Sequence, residues 1–501
     1  MKDSKDLHRI IKSLSKAEKR HFKMCVNSVH KNENNYTILF DAIDAQEEYN
    51  ENKLLRKLKK HPFSKQISRT KYLLYEQILK VLRQLYSTRS EHTKLEAMLN
   101  SVEVLFYKTF YHQAFEVLKR AKKIAVANKL YGLQQEIMER EKLLLPYLEN
   151  HKTIKPAISE FLNSYEQIAQ LVKTENEYKV LHTKARLYYD TLLNFHETSQ
   201  VEAVFGKVMQ HRLMAEKSNA TTFLSQVLFY EIHFLNANAR SNFAQANYFG
   251  DEMFFLWETK PAMKNVFRNA FIRQLRDYTF CKISSDHTQK NIPQLLNEWK
   301  SIKSLSKEEE GVFALEIDMI HFLLQLVNKS YSGIEAICHL IKEHHLPSLK
   351  KLPSHQKIAV FYHIAVYHFM KKDYAKVIRY INQIEGIAGG KLRPHVLKYV
   401  KLMELIVRYE LDDDEIDDKD ILRITRHLKL LGKLGRIEEM LLSSIKKLIN
   451  LPTLNEPPMI LKKLSELLET DKETINYKLE SINNQIIKVW VKEKLSKEYQ
   501  Y

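Results

Sequence analysis

Three observations predict an all-α protein. The expected form is an α-solenoid of about seven to eight helical hairpins with a period of about 44 residues, plus a basic helical N-terminal region and a helical C-terminal cap. The first observation is a scarcity of glycine, 10 in 501 residues, against the ~7% of ordinary proteins. Nucleotide-binding turns need glycine for positive φ and for close approach of backbone to phosphate, so Rossmann and P-loop architectures fit poorly, as do β-sandwiches. The second is apolar spacing of three and four residues along most of the chain, the mark of helices that bury one face. The third is the return of one such pattern at a near-constant interval. A content of 44% hydrophobic and 10% aromatic residues is enough for a large core and argues against disorder. The length exceeds one ordinary domain. It divides into a basic region 1–90, a repeat array 91–432 and a cap 433–501.

Residues 1–90 hold 20 Lys or Arg against 10 Asp or Glu, a net +10 of the whole chain's +18. Two helices there carry basic stripes at i, i+3, i+4 and i+7. One is Lys16, Lys19, Arg20 and Lys23; the other is Lys53, Arg56, Lys57 and Lys60. Ser13 or Ser15 can cap the first helix, and Asn50 or Asn52 the second. Leu54, Leu55 and Leu58 give the second an apolar side. A third helix, about Ser68–Tyr86, carries core residues Leu73, Leu74, Ile78, Leu82 and Leu85. Like charges at i,i+4 cost ~0.2–0.5 kcal/mol each, so a stripe of four points to an anionic partner. That partner is nucleic acid, met by a helix-turn-helix-like module, or an acidic protein surface. A solvated face on a Lys-rich protein fits the same residues, and no RNP, KH or zinc-finger motif separates these readings.

The repeat begins beyond residue 90. Tyr111, Ala114, Leu118 and Ala121 form its clearest copy. Phe243, Ala246, Gly250 and Met253 form another, as do Tyr331, Ile334, Cys338 and Ile341, and Tyr374, Val377, Ile381 and Ile384. These 3-4-3 offsets put four residues on one helical face. The first residues lie close to three, two and one periods apart. Further copies are therefore expected at Ile154–Ala157–Phe161–Ser164, Val201–Val204–Val208–His211 and Gln289–Ile292–Leu296–Trp299, with a degraded one at Asp418–Ile421–Thr425–Leu428. Helical stretches such as Leu95–Thr109, Thr222–Ala239, Leu315–Asn328 and Ile358–Met370 precede copies, so the unit is a hairpin whose second helix starts at the anchor. The run from Tyr111 to Ala121 resembles the second-helix signature of tetratricopeptide repeats. The resemblance implies that the aromatic packs in the hairpin turn and that the small residues admit the neighbouring helix. Two features depart from that family. The period is about 44 rather than 34 residues, and the first-helix Trp-Leu-Gly-Tyr pattern is absent. The resemblance, to TPR-like helical-repeat proteins over roughly residues 95–430, implies fold and carries almost nothing about function.

Residues 391–501 are nearly neutral, with 21 Lys or Arg against 19 Asp or Glu. The acidic run Glu410–Asp420 lacks the glycine and ligand alternation of an EF-hand loop. It reads as a polar linker whose acids favour the N-terminus of the helix from Ile421. Pro452, Pro457 and Pro458 break the helical pattern. Met459–Tyr501 resumes it, with Trp490 as a packing anchor or cap, and no strand-and-wing signature marks a winged helix.

No GxSxG, HExxH or GxGxxG occurs. Gly390-Lys391 and Gly432-Lys433 fail as P-loops, having Glu385 and His427 where the first glycine belongs and Leu392 and Leu434 where Ser or Thr is needed. His363 and His368 are five apart and diverge on a helix, so they read as core or surface histidines rather than metal ligands. No catalytic residue, cofactor or metal is expected. Three cysteines without a CxxC pair fit a reducing cytoplasm. The N-terminus has no signal-peptide core, and Ile358–Met370 is too short to span a bilayer, so no membrane insertion is expected. Lys, Asn and Ile usage fits an AT-rich bacterial source. The leading expectation is a non-enzymatic scaffold that binds a peptide or protein segment in a helical-repeat groove. The alternative is a nucleic-acid-associated regulator that uses the basic N-terminal helices, with the repeats as sensor or partner-binding module.

Overall fold

The structure, a computed structural model, describes residues 4–29, 35–87, 90–147, 151–191, 201–240, 242–285, 290–304, 306–328, 334–343, 346–388, 394–411, 418–431, 434, 436–449, 459–470 and 478–496. Tyr331, Gln289, most of the acidic run and the three prolines at 452, 457 and 458 lie outside these residues. Every regular element among the described residues is helical, with no strand. No helix among them is long and apolar enough to cross a membrane. The chain divides into two compact units, Met1–Ala169 and Gln170–Tyr501.

The first unit opens with α1 (Ser4–Ser13), α2 (Lys16–Val29), α3 (Asn35–Asp44), α4 (Glu51–Leu58) and α5 (Ile67–Tyr86). The apolar α3 touches each of the other four. Leu7, Ile11, Phe22, Leu39, Phe40, Leu54, Leu74 and Ile78 form a core of their own, with Phe22 stacked on Phe40 at 4.8 Å. Of the candidate caps, Ser15 and Asn50 are the ones used. Ser15 Oγ accepts from the Glu18 amide and the Glu18 carboxylate accepts from the Ser15 amide, a reciprocal capping box. Asn50 Oδ1 accepts from the Lys53 amide at 3.0 Å. Leu54 and Leu58 are buried but Leu55 is exposed, a correction to the expected apolar trio. One residue along a helix turns ~100°, so only the i,i+4 pair shares the inner face.

The same unit continues with α6 (Glu91–Tyr107), α7 (Tyr111–Ala127) and α8 (Tyr131–Leu144), an antiparallel series. Ala114 and Ala121 are fully buried and Leu118 nearly so, the face that the 3-4-3 spacing specifies. Tyr111 packs in the turn, edge-on to Phe106 and stacked on Tyr147. Two turns close with left-handed residues that are not glycine, Thr109 at φ 63° and Lys129 at φ 52°. In each, the next amide reaches back five residues, Phe110 to Leu105 and Leu130 to Ala125, both at 2.9 Å. This is the Schellman closure, which satisfies helix-end carbonyls and usually employs glycine.

The second helix expected at Ile154 begins at His151, and its Tyr165 donates to Glu139 of α8; at Val201 no straight second helix forms. Residues His151–Thr191 make one 41-residue helix, α9, because no glycine or proline interrupts residues 157–191. Val201 leads into a π-helical turn, Glu202–Gly206, and a three-residue helix. Val201 and Val208 are buried there, so the apolar spacing serves an irregular segment instead of a straight helix.

In the second unit, helices alternate as first and second members of hairpins. They are α10 (Phe223–Ala239) with α11 (Phe243–Thr259), α12 (Arg268–Ser285) with α13 (Ile292–Ser301), α14 (Lys307–Val327) with α15 (Ile334–Glu343) and α16 (Ser354–Met370) with α17 (Tyr374–Ala388). Then follow α18 (Pro394–Glu410) with α19 (Asp418–Leu431) and α20 (Arg436–Ile449) with α21 (Met459–Thr470). The first members α12, α14, α16, α18 and α20 also touch in succession. Phe243, Ala246 and Met253 are buried, as are Ile334, Cys338, Ile341, Val377, Ile381 and Ile384, while Tyr374 starts α17 half-buried. Gly250 shows why a small residue recurs. A Cβ there would stand 2.6 Å from the Tyr278 ring of α12, so only glycine admits that helix. The last helix, α22 (Lys478–Ser496), packs on α21 and also across α12, α14 and α16.

Candidate functional site

Two places could meet a partner: the face made by successive first helices of the second unit, and the basic helices of the first. The first-helix face is laced by ion pairs. Glu231 sits in the mostly apolar run VLFYEI of α10 and is fully buried. It accepts from Arg273 of α12 through Nε at 3.2 Å and a terminal nitrogen at 3.1 Å. It also accepts from the Gln274 amide and lies 3.0 Å from His182 Nε2 of α9. Gln274 in turn accepts from the Trp257 indole of α11 at 2.8 Å. Arg186 of α9 lies 3.6 Å from Glu231 and binds Asp190 and Asp277. Burial alone would push the Glu231 carboxyl up, yet His182, Arg273 and Arg186 hold it well below the usual carboxylate range.

The lacing continues to α14. Arg276 donates to Glu316 at 2.7 Å, and Arg268 forks onto Glu309 at 2.5 and 3.0 Å. At Glu316 burial outweighs the single guanidinium, and the carboxyl is raised. A hollow of about 430 Å³ opens beside these rungs, walled by Arg273, Arg276, Asn269, Val312 and Phe313. Its two arginines are already matched to Glu231 and Glu316. These groups compensate one another and position one helix against the next; none is a nucleophile poised beside a base. Among the described residues no three His, Cys, Asp or Glu side chains converge as a metal site would require, and His363 and His368 are buried in α16.

At the other end of this face, α22 lies across it. Ile486, Ile487, Trp490 and Val491 are buried. The Trp490 indole donates to Glu410 of α18 at 2.6 Å, and its ring meets Tyr409 edge-on at 6.0 Å. Lys494 pairs with the same Glu410 oxygen at 2.8 Å and lies over the Tyr409 ring. Lys372 pairs with Glu493, and Lys492 with Glu469. Burial, with Glu410 and Glu493 nearby, pushes the Tyr374 hydroxyl up to about 12.

The two basic stripes fare differently. In α2, Lys19 pairs with Asp44 and Lys23 with Asp41, each at 2.6 Å, while Lys16 and Arg20 are exposed. α4 ends at Leu58, so only Lys53, Arg56 and Lys57 of the expected stripe lie on the helix and Lys60 falls in the turn beyond it; all four are exposed, and none pairs with an acid among the described residues. Sequence reasoning passed over Lys71, which is buried in α5 and donates to both Glu51 oxygens at 2.6 and 2.7 Å and to Tyr49 at 2.8 Å. It also missed Glu231 and Glu316. A lone carboxylate inside a mostly apolar helical run was the available signal for Glu231, since such a group is buried only with a partner; Glu316, with Asp318 two residues on, carried no such signal. No family model, curated protein or solved structure matches the chain.

Proposed function

We propose that the protein is a non-enzymatic interaction scaffold of the TPR-like helical-repeat class, with the second unit as its array and a peptide or protein segment of a partner as its ligand. The observation that carries this reading is the ordered contact of α12, α14 and α16 as successive first helices, a surface broad enough that α22 lies across all three. Repeat stacks offer such surfaces because each unit buries its apolar side only against neighbours. The three cysteines are free thiols and suit the reducing cytoplasm where we place the protein. Capture from lysate with the full chain, followed by cross-linking and mass spectrometry, tests the reading. Cross-links from partner to α12, α14 or α16 are expected; partners that cross-link only to residues 1–90 would overturn it.

The exposed cations of α4 and the turn after it favour a second reading, in which a nucleic acid or an acidic protein is held by residues 1–90. Phosphate contacts made by four such cations give binding that falls steeply with salt. Treating the captured complexes with nuclease separates the two kinds of anion.

A further inference from the structure

We infer that the face of α12, α14 and α16, with the end of α18 beside it, is a seat for an amphipathic helix of another protein, and that α22 is its resident occupant. The inference rests on the scaffold reading and names the ligand class. The helix α22 is remote in sequence from the three helices that it crosses, and residues 471–477 join it to α21. It buries one edge in two apolar pairs a turn apart, Ile486 with Ile487 and Trp490 with Val491. Beyond that edge stands a polar clamp. One Glu410 oxygen receives both the Trp490 indole N–H and the Lys494 ammonium, while the Tyr409 ring meets the indole and underlies the ammonium. The Lys492–Glu469 pair at the rim is more than half exposed on both sides, where an ion pair contributes little.

The seat therefore recognises a definite chemistry. A partner helix presents two apolar pairs one turn apart, tryptophan in the second pair, and lysine four residues after the tryptophan. Glu410 selects for that lysine and repels an acid in its place. A tethered occupant competes at high effective concentration. An outside helix meets only the fraction of molecules whose seat is open, and its apparent affinity is reduced by that fraction. Loosening α22 while leaving the seat intact should raise it.

The probe is a fluorescent peptide of residues 478–496, read by anisotropy against full-length chains. The double variant Trp490→Ala/Lys494→Ala should bind it about tenfold or more tightly than the unaltered chain. Adding Glu410→Lys should abolish that binding, and a peptide carrying Lys494→Glu should restore it. Should the double variant lose helical circular dichroism, Lys494→Ala alone serves, with a smaller gain and the same reversal by Glu410→Lys. Equal peptide binding by loosened and unaltered chains, or none by either, would overturn the inference. So would a loosened chain that instead forms exchanged dimers in sedimentation, since the occupant would then be a second copy. A lysate partner whose capture is indifferent to Glu410→Lys and to loosening would sink this seat and leave the scaffold reading standing.

Discussion

Charge is used in opposite ways at α4 and at the junction of α9, α10 and α12. On α4 and in the turn after it, four cations stand in solvent with no acid against them among the described residues, and the fold is held by Leu54 and Leu58 beneath. Around Glu231, every charge has an opposite and most are out of water. Exposed charges can be changed with little effect on folding. Buried matched charges cannot be changed singly, because the partner left behind has lost its water as well. The first kind of surface is available to a ligand, and the second fixes how one helix sits on the next.

The largest expected break in this comparison is Glu231→Ala. It strands Arg273 and His182, leaves Arg186 to Asp190 and Asp277, and should cost ~3–5 kcal/mol, read as a lowered melting temperature. Acid should expose the same group. The Glu231 carboxyl titrates below its unfolded value of ~4.3, so its contribution is complete above that pH and is withdrawn as pH falls toward the folded value. Denaturant titrations of Glu231→Gln should therefore show a shallower loss of stability below pH ~4.3 than the unaltered chain; parallel acid slopes would show that the lacing does not hold the carboxylate charged. A smaller effect of opposite sign is expected at the turns. Thr109→Gly and Lys129→Gly should each stabilise by ~1 kcal/mol, since left-handed backbone penalises a Cβ. The smallest change belongs to α4 and the turn after it. Reversing Lys53, Arg56, Lys57 and Lys60 to Glu should leave stability within ~0.5 kcal/mol per site while removing any salt-dependent binding to anions; a large fall in melting temperature would mean that these cations are structural.

Helical packing was legible wherever it depends on spacing within one helix. Ala114, Leu118, Ala121, Phe243 and Ala246 were readable because 3.6-residue periodicity is local. The length of α9 was not read, although no breaker follows between residues 157 and 191, and the weaker apolar spacing at Val201 was given the weight of a hairpin. The candidate sites were less legible, since they depend on pairings across the chain. Lys19 and Lys23 looked like half of a free stripe until α3 brought Asp44 and Asp41 to them. Trp490 was recognisable as an anchor, but its acceptor Glu410 stands 80 residues earlier, and Glu231 meets Gln274 and Arg273 more than 40 residues on. Spacing rules carry no information over such separations.

The crossing of α22 over α12, α14 and α16 also sets an order in time. A ribosome adding ~5–20 residues per second needs roughly 10–40 s to travel from Ser285, the end of α12, to Lys478, the start of α22. During that interval the first helices of the face exist before their own cover does. A helix of suitable chemistry, from a chaperone or a partner made nearby, would meet an unoccupied surface then and a competitor ever after. Assembly during synthesis and assembly with the finished protein would accordingly differ in rate, with the nascent chain the faster to be engaged.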